Sequence, residues 1–78
     1  MDNNAAQAIL EEVLRLAMDE ALMLQAKEPL SDEDHGALTA YFSVLELGKQ
    51  QAAIMGVSFA DRELNTFDPY ALLAKATD

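Results

Sequence analysis

Residues 5–27 read AAQAILEEVLRLAMDEALMLQAK, and this stretch decides the fold. It contains no Gly or Pro and consists mostly of Ala, Leu, Glu, Met and Gln, which are strong helix formers. We therefore expect a long helix over about residues 5–27. Its apolar residues form two stripes at helical spacing, with Leu10, Leu14, Ala17, Ala21 and Leu24 in the first and Ile9, Val13, Leu16 and Met23 in the second. Together the stripes cover roughly half of the helix surface, and a single neighbouring helix buries less than that.

The next residues predict a turn and a second long helix. Pro29 ends the first helix, because the residue before a proline is pushed away from helical geometry. Ser31 is a favoured N-cap residue, and Asp34 stands at the position of the acid in a capping box. The second helix is expected over about residues 32–55, with Gly56 as the C′ residue that ends it. A connection this short favours antiparallel packing of the two helices as a hairpin.

The second helix also has two apolar faces. Spacings of three and four residues place one seam along its whole length, formed by Leu38, Tyr41, Leu45, Gly48, Ala52 and Met55. Glycine inside a helix costs about 1 kcal/mol relative to alanine, and we expect close packing against Gly48 to offset that cost. Ala40, Leu47 and Ile54 repeat every seven residues on nearly the opposite side. Pairing the two helices once therefore leaves apolar residues uncovered on both.

The C-terminal part of the chain has a weaker pattern. Ser58 is suited to cap a turn that runs through Leu64, and Asp68 followed by Pro69 marks a short third helix over about residues 69–75. We predict an all-α fold: a single small domain over residues 1–78, with an antiparallel helical hairpin and a short C-terminal helix. Two such hairpins are expected to dimerise into a four-helix-type bundle, because that arrangement covers the second apolar faces.

Composition narrows the classes of function. The 78 residues include 14 acidic and 5 basic side chains, and the net charge of −9 repels phosphate backbones and anionic membrane surfaces. We therefore expect no direct nucleic-acid binding and no membrane partner. The chain has no cysteine, one histidine (His35) and no phosphate-binding loop, so we predict no enzyme activity and no catalytic, cofactor-binding or metal-binding residues. With no signal peptide or membrane span in the sequence, a cytoplasmic protein is expected.

Glu20 interrupts the second stripe of the first helix, between Val13, Leu16 and Met23. One interpretation is an interfacial acid that fixes the register of packing or receives a basic group from a partner. The other is an exposed carboxylate that reaches water or Ser43. Met18 and Leu22 fall on the otherwise polar side, where they form either an adaptable contact patch or isolated exposed residues. The predicted dimer or partner interface consists of Ile9, Val13, Leu16, Glu20, Met23, Ala40, Leu47 and Ile54.

These patterns favour a small acidic protein–protein interaction protein, an adaptor, chaperone or regulator that forms a homodimer and binds another protein. One alternative is an inhibitor of the kind made by phages or mobile elements, which blocks a host protein or a basic groove through an acidic helical surface. The candidate residues of that surface are Glu11, Glu12, Asp19, Asp61 and Glu63. Another alternative is a structural subunit of a larger assembly.

Overall fold

The computed structural model describes residues 3–74, and the side chains of residues 5–73. Four helices follow one another in this part of the chain: α1 (Asn3–Gln25), α2 (Asp32–Ile54), α3 (Arg62–Thr66) and α4 (Ala71–Ala74). The predicted all-helical fold with two long helices is confirmed. None of the helices in this range combines the length and the apolar character that crossing a membrane requires.

The two long helices pack side by side in antiparallel directions. At the connected end, Lys27 forms an ion pair with Asp34 across the turn, with 3.2 Å between Nζ and Oδ1. In the middle, α1 approaches α2 so closely that a β-carbon on Gly48 would lie 2.6 Å from Cδ2 of Leu14. This confirms the predicted close approach at Gly48, because a side chain there would overlap the neighbouring helix.

Both ends of α2 have the predicted caps. The Ser31 hydroxyl accepts a hydrogen bond from the Asp34 backbone N–H at 3.1 Å, and the Asp34 carboxylate accepts one from the Ser31 N–H at 3.0 Å. That second bond is the main reason why the pKa of Asp34 is below its usual value. At the other end, Gly56 has a φ of 72°, and the Val57 N–H donates to the Ala52 carbonyl at 2.8 Å. These are features of a Schellman motif.

Residues 57–73, here called the C-terminal segment, fold back across one side of the hairpin. Phe59, Leu64 and Leu72 of this segment are buried in the core. Together with seven hairpin residues they form one cluster: Leu14, Ala17, Met18, Ala21, Leu38, Leu45, Ala52, Phe59, Leu64 and Leu72. The core is therefore built from three parts of the chain rather than from the hairpin alone.

Three predictions about the C-terminal segment and the side chains that it covers are wrong. Met18 is only 1% exposed, so its proposed role in a contact patch is wrong; the segment packs on the side of α1 that was expected to face water. The expected turn capped by Ser58 is instead helix α3, whose N-cap is Asp61. The last helix starts at Ala71, two residues later than predicted, and its predicted final residue, number 75, lies outside the described residues.

Met55 was predicted as the last residue of the buried seam of α2, and this prediction is wrong. The helix ends at Ile54, and Met55 is the C-cap residue with 73% of its surface exposed. The remaining members of the seam face α1 and the core, with Leu38, Leu45 and Ala52 buried.

Candidate protein-interaction surface

The hairpin is one layer of two helices, and the C-terminal segment covers one of its two broad faces. On α1, three side chains bind that segment. The Glu11 carboxylate accepts from the Ala60 N–H at 2.7 Å, Arg15 forms an ion pair with Asp61, and Gln25 donates to the Ala71 carbonyl at 2.9 Å. At 100° per residue, these positions lie on nearly the opposite side of α1 from the stripe that begins at Ile9. That stripe therefore faces away from the C-terminal segment.

The same division holds for α2. Phe42 of α2 meets Tyr70 of the C-terminal segment edge to face, with 4.8 Å between the ring centroids. Lys49 of α2 binds backbone carbonyls of the same segment. Leu47 and Ile54 lie about 120–160° around α2 from Phe42 and Lys49. They are 59% and 77% exposed.

The side of the hairpin opposite the C-terminal segment is called the open face below. All eight residues of the predicted interface lie on it and are exposed. Val44, which the sequence interpretation did not include, extends it, and Met55 borders it at the end of the hairpin, where it lines a groove with Leu10 and Val57. The full set is Ile9, Val13, Leu16, Glu20, Met23, Ala40, Val44, Leu47, Ile54 and Met55. The open face thus joins the second stripes of both long helices into one mainly apolar surface.

Glu20 lies within this surface. It lines a shallow groove between the two helices together with Met23, Leu24, Lys27, Ala37 and Tyr41. Within the part of the chain that the structure describes, its carboxylate forms no hydrogen bond or ion pair. The Ser43 hydroxyl, considered as a partner from the sequence, donates instead to the Thr39 carbonyl at 3.1 Å. Glu20 is therefore an exposed carboxylate surrounded by apolar side chains.

The acidic residues proposed for an inhibitory surface gather around Arg15. Its Nε lies 3.1 Å from Asp19, and its Nη1 lies 2.9 Å from Asp61 and 3.8 Å from Glu63. The hydrogen bond to Asp19 is the largest cause of a raised pKa of the Arg15 guanidinium. The cluster connects α1 to α3, and it neutralises part of the acidic surface.

Asp61 has two roles in this cluster. Its carboxylate accepts a hydrogen bond from the Leu64 N–H at 3.1 Å, which caps α3, and it also binds Arg15. The bond from Leu64 is the main cause of a pKa of Asp61 below its usual value, and the guanidinium adds to it. Of the five acids, Glu12 alone makes no hydrogen bond or ion pair with the described residues.

Lys49 fastens the C-terminal segment to α2. Its ammonium group donates to the carbonyl of Leu64 at 2.9 Å, to that of Asn65 at 3.2 Å and to that of Phe67. Partial burial lowers the pKa of Lys49, and the nearby acids Asp68 and Glu46 oppose this effect. Sequence reasoning missed this contact, because a single lysine in a long helix gives no sign of what its side chain reaches.

Comparison with protein-family models, curated proteins and solved structures gives no match to this chain. Within residues 3–74 no group of three or more His, Cys, Asp or Glu side chains is placed to hold a metal ion. The open face is a mainly apolar surface that packing among the described residues leaves uncovered, and it is the candidate functional site.

Proposed function

We propose that this protein acts by binding helices of another polypeptide chain on its open face, as an adaptor, chaperone or regulator. The observation that carries the proposal is the exposure of eight large apolar side chains on one side of a chain of 78 residues. They are Ile9, Val13, Leu16, Met23, Val44, Leu47, Ile54 and Met55, each between 48% and 77% exposed. Surfaces of this kind on small proteins are typical of interaction sites.

The exposed area is sufficient for a specific complex. Complete burial of an aliphatic side chain contributes about 1.5–3 kcal/mol, so covering the exposed half of each contributes roughly 1 kcal/mol. Eight side chains then supply about 8 kcal/mol, and the apolar area of the partner adds a similar amount. The sum of about 16 kcal/mol lies at the upper end of the estimated cost of association, about 4–15 kcal/mol.

Two occupants satisfy this proposal. A second copy of the chain would complete the expected homodimer, with four long helices in a bundle. A different protein would offer an amphipathic helix or helical hairpin of its own. The inhibitor with an acidic surface receives less support, because Asp19, Asp61 and Glu63 already pair with Arg15.

Site-specific photocross-linking tests the proposal. The photoreactive residue p-benzoylphenylalanine is placed at Leu16 or Leu47 on the open face. As controls, it is placed at Leu22 or Thr66, which are exposed positions elsewhere on the molecule. In cells, adducts are expected from the first pair and not from the second, and they should be lost when Ile54→Lys is added. An adduct of twice the chain mass would identify a second copy, and any other mass a different partner. Absence of adducts from the open face, or equal adducts from both pairs, would refute the proposal.

A further inference from the structure

We infer that the occupant of the open face is a helix of a different protein that carries a lysine or arginine within its apolar stripe, and that Glu20 selects this helix over a second copy of the chain. The inference rests on the proposed function and specifies the partner. It depends on the surroundings of Glu20, on the positions of the basic side chains and on the shape of the groove.

A helix that covers the open face removes the Glu20 carboxylate from water. Val13, Leu16 and Met23 flank Glu20 on the same side of α1 and have no polar side-chain groups to replace that water. An ionised carboxylate buried without a partner strongly opposes association, whereas a cation placed beside it removes the penalty. Lys27 of the same chain lines the groove but pairs with Asp34, so a cation brought by the occupant is what removes the penalty at this position.

A second copy is poorly placed to bring that cation from the described residues. Arg15 and Lys49 bind the C-terminal segment, and Arg62 belongs to α3, which packs on the side of the hairpin away from the open face. Lys27 lies beside Glu20 at the rim of the groove and pairs with Asp34. Two copies also bring together two net charges of −9, which adds repulsion between them.

In a symmetric dimer, Lys27 of each copy would reach Glu20 of the other if the two α1 helices crossed near Met23, which is halfway between positions 20 and 27. This crossing lies at the connected end of the hairpin, so Ile9 and Ile54 at the opposite end would stay exposed. A dimer that satisfies Glu20 therefore gives up much of the apolar area that would hold it together.

The groove beside Glu20 suits a long basic side chain. Met23, Leu24 and Ala37 offer apolar contacts for the aliphatic part of a lysine or arginine, whose charged end then reaches the carboxylate. A helix with apolar residues at every third or fourth position and one such cation near its centre fits the open face in both shape and charge.

Sedimentation equilibrium of the purified 78-residue chain tests the choice between the two occupants. The wild type is expected to be monomeric up to about 100 µM, and Glu20→Leu to self-associate at least about tenfold more tightly. Glu12→Leu is the matched control: it makes the same substitution at an exposed acid of α1 outside the stripe, and it should remain monomeric. A wild-type dimer that Leu47→Arg dissociates would overturn the inference, and so would equal association of the two Leu variants.

Two synthetic amphipathic helical peptides test the requirement for a cation. They differ only at the central apolar position, which is lysine in one and norleucine in the other. The lysine peptide should bind the wild type at least about tenfold more tightly than the norleucine peptide, and Glu20→Leu should reverse this order. Equal affinities for the wild type, or no binding of the lysine peptide, would overturn the inference. If these peptide results failed but adducts from the open face still formed in cells, the proposed function would stand and the inference about the partner's cation would fall. If no adducts formed, the proposed function and the inference would both fail.

Discussion

The contact between Gly48 and Leu14 leads to a prediction about two glycines of α2. Gly36→Ala places a methyl group in open space, because no atom beyond the neighbouring backbone of its own helix lies within 4 Å of its β-carbon position. Gly48→Ala places the same group 2.6 Å from Cδ2 and 3.0 Å from Cδ1 of Leu14. Both changes gain about 1 kcal/mol of helix propensity. Only the second overpacks the core, at a cost of about 1–3 kcal/mol, because Leu14 is 2% exposed and has little room to turn.

Urea unfolding followed by circular dichroism at 222 nm measures both effects. Gly36→Ala should raise the free energy of unfolding by about 1 kcal/mol, and Gly48→Ala should lower it by up to about 2 kcal/mol. A thermal midpoint in a domain of this size moves by about 4–8 °C for each kcal/mol.

A third variant isolates the cause of this difference. Leu14→Val removes the two δ-methyl carbons nearest to Gly48 and leaves a γ-carbon about 3.3 Å away, so adding Gly48→Ala to it should be stabilising by up to about 1 kcal/mol. If Gly48→Ala stabilised the wild-type protein as much as Gly36→Ala does, the helices would not need a glycine at this crossing, and the argument from close approach would be refuted.

Three further predictions concern polar contacts. Lys49→Met should lower the free energy of unfolding by about 1–2 kcal/mol, because three carbonyls lose their donor. The control Lys27→Met removes an exposed ion pair and should change this free energy by less than about 0.5 kcal/mol. Equal losses for the two variants in urea unfolding would contradict the role given to Lys49. The lowered pKa of Asp61 means that its contribution is complete above its unfolded-state pKa of about 4 and disappears as the pH falls through its lower folded-state value. Asp61→Asn keeps a capping oxygen but cannot titrate, so its thermal midpoint should fall less than that of the wild type below about pH 4, and parallel curves would show that Asp61 does not contribute. Ser31→Ala should destabilise by about 1 kcal/mol through loss of the capping box, whereas Ser31→Asp should keep most of the stability, and equal melting of the two variants would argue against the cap.

The sequence predicted the parts of the fold that local rules determine. The capping box at Ser31, the C′ position of Gly56 and the close approach at Gly48 are all found where they were expected. Each depends on a few neighbouring residues, on a spacing of three or four, or on the properties of glycine. Such signals are contained in a single stretch of sequence.

The parts that could not be predicted depend on residues 57–73. Periodicity shows that a helix has more than one apolar side, but it does not show which segment covers which side. Met18 was therefore assigned to the surface although the C-terminal segment buries it, and Arg15 was not connected with Asp61, 46 positions away. The eight predicted interface residues are exposed, yet their role in binding stays a prediction until partners are identified.

The C-terminal segment touches both long helices, and this has a consequence for the order of assembly. The carbonyls of Leu64 and Leu72 are bound by Lys49 of α2 and Gln25 of α1, so the complete binding site for this segment forms only when α1 and α2 lie side by side. We therefore expect the hairpin to close first and residues 57–73 then to dock on it. In hydrogen exchange, the amides of α3 should open at a lower free energy than those in the middle of α2. The C-terminal segment would then detach while the two long helices are still paired.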